Sequence, residues 1–267
     1  LTIEVDADAP SAPAAIIDAI ADTGVPGDGI TSNTKPVISG SAASSGDTIT
    51  VTVPGGEVLT TTVAANGTWS VTPTVALDAG ETDLSITATD AAGNVSVATV
   101  LTVDVDASAP SAPAAVLDVS ADTGVSGDGL TNNTKPMISG STATSGDTIT
   151  VTVSGGEVLT ATVAANGTWA VTPTIAWDAG ETEMSITATD AAGNVSAATT
   201  LTVEVDTTAS SAPLAVLDVS ADTGVTGDGI TSNTKPVISG SAATSGDTIT
   251  VTVPGGEVLT ATVAANG

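Results

Sequence analysis

Cysteine, histidine, arginine, tyrosine and phenylalanine are all missing from this chain of 267 residues. Without cysteine there are no disulfides and no thiolate metal sites, and the redox compartment stays open. Without histidine the commonest general base is gone. Paired carboxylates could in principle cleave glycosides, but nothing suggests a cleft and one active site in three copies would be unusual, so no enzyme is expected. Positive charge is nearly absent: three lysines stand against 30 acidic residues, for a net charge of −27. Nucleic acid needs a basic surface and finds none here, and an anionic membrane would repel the chain. No apolar run approaches the ~18 residues of a membrane span, so direct membrane insertion is not expected. No signal peptide is visible at Leu1, so an export address would lie outside this piece.

High negative charge can mean disorder. Here hydrophobic residues make up 41% and charged residues only 12%, and the apolar residues alternate, which points to a folded chain. The stretch "ADTGVPGDGITSNTKP" from Ala21 returns as "ADTGVSGDGLTNNTKP" from Ala121 and "ADTGVTGDGITSNTKP" from Ala221. A period this long does not suit a solenoid of short units. It suits a string of domains, each with its own core. Boundaries fall in the connectors "VDADAPSAP", "VDASAPSAP" and "VDTTASSAP", whose proline favours an extended, stiff linker. The expected division is 1–5 as the last strand of a preceding repeat, full repeats over 6–105 and 106–205, and an incomplete repeat over 206–267. The chain reads as a window cut from a longer array.

Within a repeat the signals are those of strands. "DTITVTV" from Asp47 sets Ile49, Val51 and Val53 against Thr48, Thr50 and Thr52, a period of two. "PGGE" turns it into "VLTTTVA" as a hairpin, "ANG" turns the chain into "TWSVTP", and "AAGN" joins "DLSITATD" to "VSVATVLTVDV". "AAIID" and "KPVISG" add two strands around the opening loop, making seven. The expected fold is all-β: a tandem array of seven-stranded antiparallel Ig-like β-sandwich domains. Trp69 and Trp169 each read as the anchor of one core, and Trp177 as an apolar swap for Leu77. The T-x-T run Thr48, Thr50, Thr52 reads as the wet face of a half-buried strand. An ice-binding array is not expected, because one such strand per repeat cannot build a flat threonine surface.

Strand parity locates the opening loop. Let the near pole of a domain be the end where its chain enters. Strand one climbs to the far pole, so the loop over 22–34 lies there, and strand seven ends there with Asp104 and Asp106. The turn "TDAAGN" lies at the near pole of its own domain. Asp22, Asp28, Asp104, Asp106 and Asp190 should therefore converge where the first two domains meet, and Asp122, Asp128, Glu204 and Asp206 at the next joint. Two like charges ~4 Å apart repel by about 4 kcal/mol at an effective dielectric of about 20, and Lys35 alone cannot offset such a cluster. Either the carboxylates splay into water or a cation binds. Hard oxygen ligands without histidine or cysteine select Ca2+ over zinc or copper.

The "VDxxAPSAP" linker, the "DTG…GDGITSNTKPVISG" opening and the "ITATDAAGNVS" close resemble bacterial Ig-like repeats, the extender regions of giant repetitive RTX-type surface adhesins exported by type I secretion. The resemblance covers the whole chain. It implies an extracellular, cell-surface spacer stiffened by Ca2+ at its domain junctions, holding a distant binding domain away from the cell in adhesion or biofilm formation. By resemblance, the calcium role falls on linker and loop acids: Asp6, Asp22, Asp28, Asp90, Asp104 and Asp106, with their copies Asp122, Asp128, Asp190, Glu204, Asp206, Asp222 and Asp228. Asp8 is replaced by Ser108 and Thr208, so it is expected to be dispensable; Ser210 stands where Pro10 and Pro110 stood, which loosens that joint. The implied partners are neighbouring repeats of the same chain, with the ligand of the distal tip outside this piece. Two alternatives stay open: a ligand-binding adhesin module, and a self-assembling filament or surface-layer subunit.

Overall fold

A computed structural model describes residues 3–41, 44–141, 143–241 and 244–266 of the chain. Among the described residues every regular element is a strand. The chain falls into two compact units, Leu1–Asp206 and Thr207–Gly267.

The first unit holds two full repeats built alike. In the first, the strands are β1 (Ile16–Ile17), β2 (Ile30–Thr31), β3 (Ile38–Gly40), β4 (Thr48–Thr52), β5 (Val58–Thr62), β6 (Trp69–Val71), β7 (Gly80–Thr89) and β8 (Thr99–Val105). They form a three-stranded sheet ordered β1-β3-β6 and a five-stranded sheet ordered β2-β8-β7-β4-β5. In the second repeat the same plan runs through β9 (Val116–Leu117), β10 (Leu130–Thr131), β11 (Ile138–Gly140), β12 (Thr148–Val153), β13 (Val158–Thr162), β14 (Trp169–Val171), β15 (Gly180–Thr189) and β16 (Thr199–Val205).

The expected sandwich is present, with one correction: a full repeat has eight strands rather than seven. The addition is β2, two residues inside the opening loop. It pairs in parallel with β8, Ile30 opposite Asp104 and Thr31 opposite Val105, so the repeat is not wholly antiparallel. Two residues carry no alternation, and the partner lies more than 70 positions away along the chain, so nothing local announced the strand. Leu1 and Thr2 fall outside the described residues, and Ile3–Val5 are exposed and form no strand.

Alternation decides which face is buried. Ile49 and Val51 of β4, Leu84, Ile86 and Ala88 of β7, and Val103 of β8 have no exposed surface. They face Ile17, Ile38 and Trp69 of the smaller sheet in one core cluster. Trp69 lies over the backbone of Gly40, its register partner; a Cβ there would stand 2.6 Å from the indole. Trp177 is buried where the first repeat has Leu77, and both donate a backbone N–H to the same position, Thr134 O and Thr34 O. On the opposite face, Thr50 of β4 stands between Thr60 of β5 and Thr87 of β7, and Thr48 between Thr62 and Thr89. Neighbouring strands thus extend the threonine rows, which one strand read alone did not reveal.

The second unit has β17 (Leu214–Leu217) paired with β18 (Ile238–Ser241) and β19 (Thr248–Thr252) paired with β20 (Val258–Thr262). These are the counterparts of β1, β3, β4 and β5. Fewer apolar neighbours leave Ile238 at 45% exposed where Ile38 has none.

Candidate functional site: the joint between the full repeats

The opening loop begins where β1 ends and is built on Asp18, whose carbonyl accepts the N–H groups of Ala21 and Asp22. Asp22 then folds the loop back on itself: its Oδ2 accepts the Gly27 N–H at 2.5 Å. Asp28 caps the next turn, its Oδ1 accepting from Ile30 N at 2.9 Å. The buried Thr31 hydroxyl closes the base, donating to Ala21 O at 2.7 Å and accepting from Asn33 N at 3.1 Å. Thr31→Val should therefore cost about 1–3 kcal/mol, the penalty of a buried carbonyl left without its donor, read as a lower urea midpoint for the first repeat.

The loop lies against the end of β8. Gly29 O accepts from Asp104 N, and Thr31 O accepts from Asp106 N at 3.0 Å. The linker thus leaves the repeat already fastened to the loop. The turn over 190–194 of the second repeat then meets the loop directly. Val25 N donates to Ala191 O at 3.0 Å, and the Thr23 hydroxyl donates to Ala192 O at 2.6 Å. Asn194 Nδ2 donates both to the linker carbonyl Asp106 O at 2.8 Å and to Asp190 Oδ2 at 3.0 Å. Gly24 and Gly193 make the approach possible. Both have positive φ, +77° and +85°, and a Cβ on Gly24 would stand 1.9 Å from Ala191 O. None of these five residues (Thr23, Gly24, Val25, Gly193, Asn194) stood out in the sequence, because their role depends on a contact between repeats.

The acids predicted to converge are placed as follows. Asp22, Asp28, Asp104 and Asp106 belong to the loop, the end of β8 and the linker, and Asp190 to the turn that docks on that loop. In the second repeat Asp122 and Asp128 fold the loop in the same way, through Gly127 N and Leu130 N, while Glu204 N and Asp206 N donate to Gly129 O and Thr131 O. In the second unit Asp222 accepts from Gly227 N and Asp228 from Ile230 N. At the near pole of the first repeat, Asp6 O accepts from Asn94 Nδ2, which also donates to Asp90 Oδ2. That Asn94 bond, made by its side chain, is the main reason the Asp90 carboxyl sits below its usual range. Among the described residues, no three acidic side chains come close enough together to hold a metal ion by themselves. What does recur is an orphaned oxygen: Asp22 Oδ1, Asp122 Oδ1 and Asp222 Oδ1 are buried without a hydrogen-bond partner. A carboxylate oxygen removed from water with no donor fits a hard cation. Any further ligands would be backbone carbonyls and water.

Lysine does not fill this role. Lys35 Nζ donates to Thr74 O at 2.5 Å, and Lys135 makes the same bond to Thr174 O. Glu57 Oε1 accepts from the Thr74 N–H and hydroxyl. The hydroxyl contact, ahead of the other causes, lowers the Glu57 carboxyl from its ordinary value.

One acid outside the expected set is also buried. Asp47 is 7% exposed and Asp147 5%, and Oδ2 of each has no partner. Burial, and then the charge of Asp190, pushes the Asp147 carboxyl up. The signal was legible: Asp47 shares the parity of Ile49 and Val51, so it points to the core side of its strand.

A family model described as the bacterial Ig-like domain matches residues 9–107 and 109–207. Comparison with curated proteins gives no match. Among solved structures, the chain is similar to a tetra-tandem repeat in the extending region of a large adhesion protein. The identity is 22% over 97% of this chain and 64% of that one, with a TM-score of 0.30. It is also similar to a Ca2+-stabilized adhesin that helps an Antarctic bacterium reach out and bind ice, at 29% identity over 97% of this chain and 65% of that one, TM-score 0.36. A third is described in connection with host cell surface retention of a bacterial ice-binding adhesin, at 25% identity over 96% of this chain and 85% of that one, TM-score 0.35. The chain spans a little under two thirds of the length of the first two.

Proposed function

The chain belongs to the bacterial Ig-like domain family, and on that premise we propose that it is a spacer of a bacterial cell-surface adhesin, stiffened by Ca2+ at its joints. It would work outside the cell, holding a distal binding domain away from the surface for adhesion or biofilm formation. Its partners would be the neighbouring repeats of its own chain.

The observation that carries this reading is the joint itself. Loop and turn meet backbone to backbone through Val25–Ala191 and Thr23–Ala192, and the linker is tied to both sides through Asp106. A ligand-binding module would not need its repeats keyed to each other; a spacer that must keep its length does. Calcium is supported by the donor set, all oxygen, and by the orphaned Asp22 Oδ1 in the loop that forms half of the joint. An ion bound only when the loop is docked stabilises the docked state by mass action.

Small-angle scattering with calcium and then with a chelator tests the reading. A repeat is on the order of 40 Å long, given strands of about 3.3 Å rise per residue plus loops at each pole. With calcium the full repeats should scatter as a rigid rod, and chelation should shorten or broaden the distance distribution. Identical profiles in the two conditions would sink the calcium part of the proposal. Concentration-dependent polymers would favour a filament subunit instead.

A further inference from the structure

From the facing pair Asp47 and Asp90, and its copy Asp147 and Asp190, we infer that each full repeat holds a divalent cation inside its own near pole, separate from the opening loop. The register sets the pair. β4 and β7 pair with Thr48 opposite Thr89, so one step further Asp47 stands opposite Asp90. β12 and β15 pair with Thr148 opposite Thr189, which sets Asp147 opposite Asp190. Directly opposed residues of an antiparallel pair share a face, with Cβ atoms about 5 Å apart. That face is the core side: Ile49 and Ala88, two positions inward from the two aspartates, have no exposed surface.

Like charges in this position destabilise a sheet, and among the described residues the lysine of each full repeat is engaged elsewhere, at a Thr carbonyl. Yet the two acids are not equivalent. Asp90 and Asp190 are held by Asn94 and Asn194. Asp47 and Asp147 are more than nine-tenths buried, each with an oxygen that has no partner at all. The same oxygen is orphaned in Asp247. A buried carboxylate oxygen without a donor, facing a second carboxylate, is what a bound cation would resolve. With only two carboxylates, the other ligands must be carbonyls and water, an irregular oxygen shell that calcium tolerates and magnesium resists. Asn194 also reaches the linker carbonyl Asp106 O, so an ion on Asp190 would brace the point where the chain enters the repeat.

The inference rests on the calcium reading above only for the identity of the ion. Isothermal titration of the full chain with calcium chloride, on the wild type and on D47N, D147N and D22N, tests it. D47N and D147N should each remove one bound ion or weaken it more than a hundredfold, while D22N leaves those two sites intact. A second readout guards against a variant that merely folds badly: in chelator D147N should melt at or above the wild type, since a buried charge is gone, and in calcium it should melt below. Unchanged stoichiometry and affinity in D147N would overturn the site. A chain whose scattering ignores calcium, yet which loses an ion in D147N, would end the joint reading and leave this one standing.

Discussion

Gly24→Val should part the two full repeats while leaving each of them folded. A side chain here meets two obstacles. The backbone is in the left-handed region, at φ +77°, where a β-branched residue is strained by about 1–2 kcal/mol. Its Cβ would also stand 1.9 Å from Ala191 O and 2.6 Å from Gly193 N, atoms of a turn that cannot swing aside as a flexible side chain could. The loop must withdraw, and the Val25–Ala191 and Thr23–Ala192 bonds go with it, at about 1 kcal/mol each. The strain burdens the loop docked or open; the two lost bonds, worth about 2 kcal/mol, weaken the joint's closure roughly thirtyfold or more. Residual dipolar couplings should then report two independently tumbling repeats, with the first repeat melting lower by about 4–8 °C for each kcal/mol of strain and the second close to the wild type. Gly124→Val is the matched control: its φ is +84° but no atom lies within 4 Å of the added Cβ, so it isolates backbone strain from lost docking. If Gly24→Val tumbles as one body, the interlock is not what holds the repeats together.

The second large effect is expected inside a core. Gly140→Ala adds one methyl group, yet its Cβ would stand 1.9 Å from Ala114 O and 2.5 Å from Trp169 Nε1. The indole is 4% exposed and packed on all sides, so it cannot step back without opening the core. Either Trp169 is expelled or β11 loses its seat against the incoming linker. Overpacking and aromatic displacement together cost about 3–5 kcal/mol, against a typical stability of about 5–15 kcal/mol. The melting temperature of the second repeat should fall by about 15–30 °C, while the first repeat, with its own Gly40 and Trp69 untouched, keeps its transition. Calorimetry of the first unit would show two separated peaks where the wild type has them close together, and tryptophan emission would shift to the red. A single unshifted transition would mean that the indole has more room than the backbone of Gly140 implies.

Period-two alternation made most of the fold readable. Ile49 and Val51 were set on one face from the sequence and have no exposed surface. The count of seven strands missed β2, but β2 lies inside the opening loop and runs parallel to β8, so the parity that set the loop over 22–34 beside Asp104 and Asp106 was unchanged. What escaped were features that exist only between distant segments. Ile30 and Thr31 become a strand because β8 passes alongside. Gly24 and Gly193 matter because two repeats meet there, and neither repeat alone says so. Asp47 is a different case: its parity with Ile49 was visible, but it stands in the turn just before β4, where a carboxylate reads as facing water.

Under tension, the parallel pair acquires a meaning that equilibrium stability does not convey. The chain leaves the first repeat through β8, which lies between β7 and β2. A pull along that strand's axis does not peel its hydrogen bonds one after another, as a zipper opens. It slides the strand past both neighbours, so the bonds to β7 and β2 resist together, in shear. Because β2 points the same way as β8 and Thr31 fixes it to Ala21, the load passes from the exit of the repeat to the loop that grips the next one. Forced unfolding follows the height of the unfolding barrier rather than the free energy of the fold. Two residues paired in parallel thus bear on the force the repeat withstands more than on how high the protein melts.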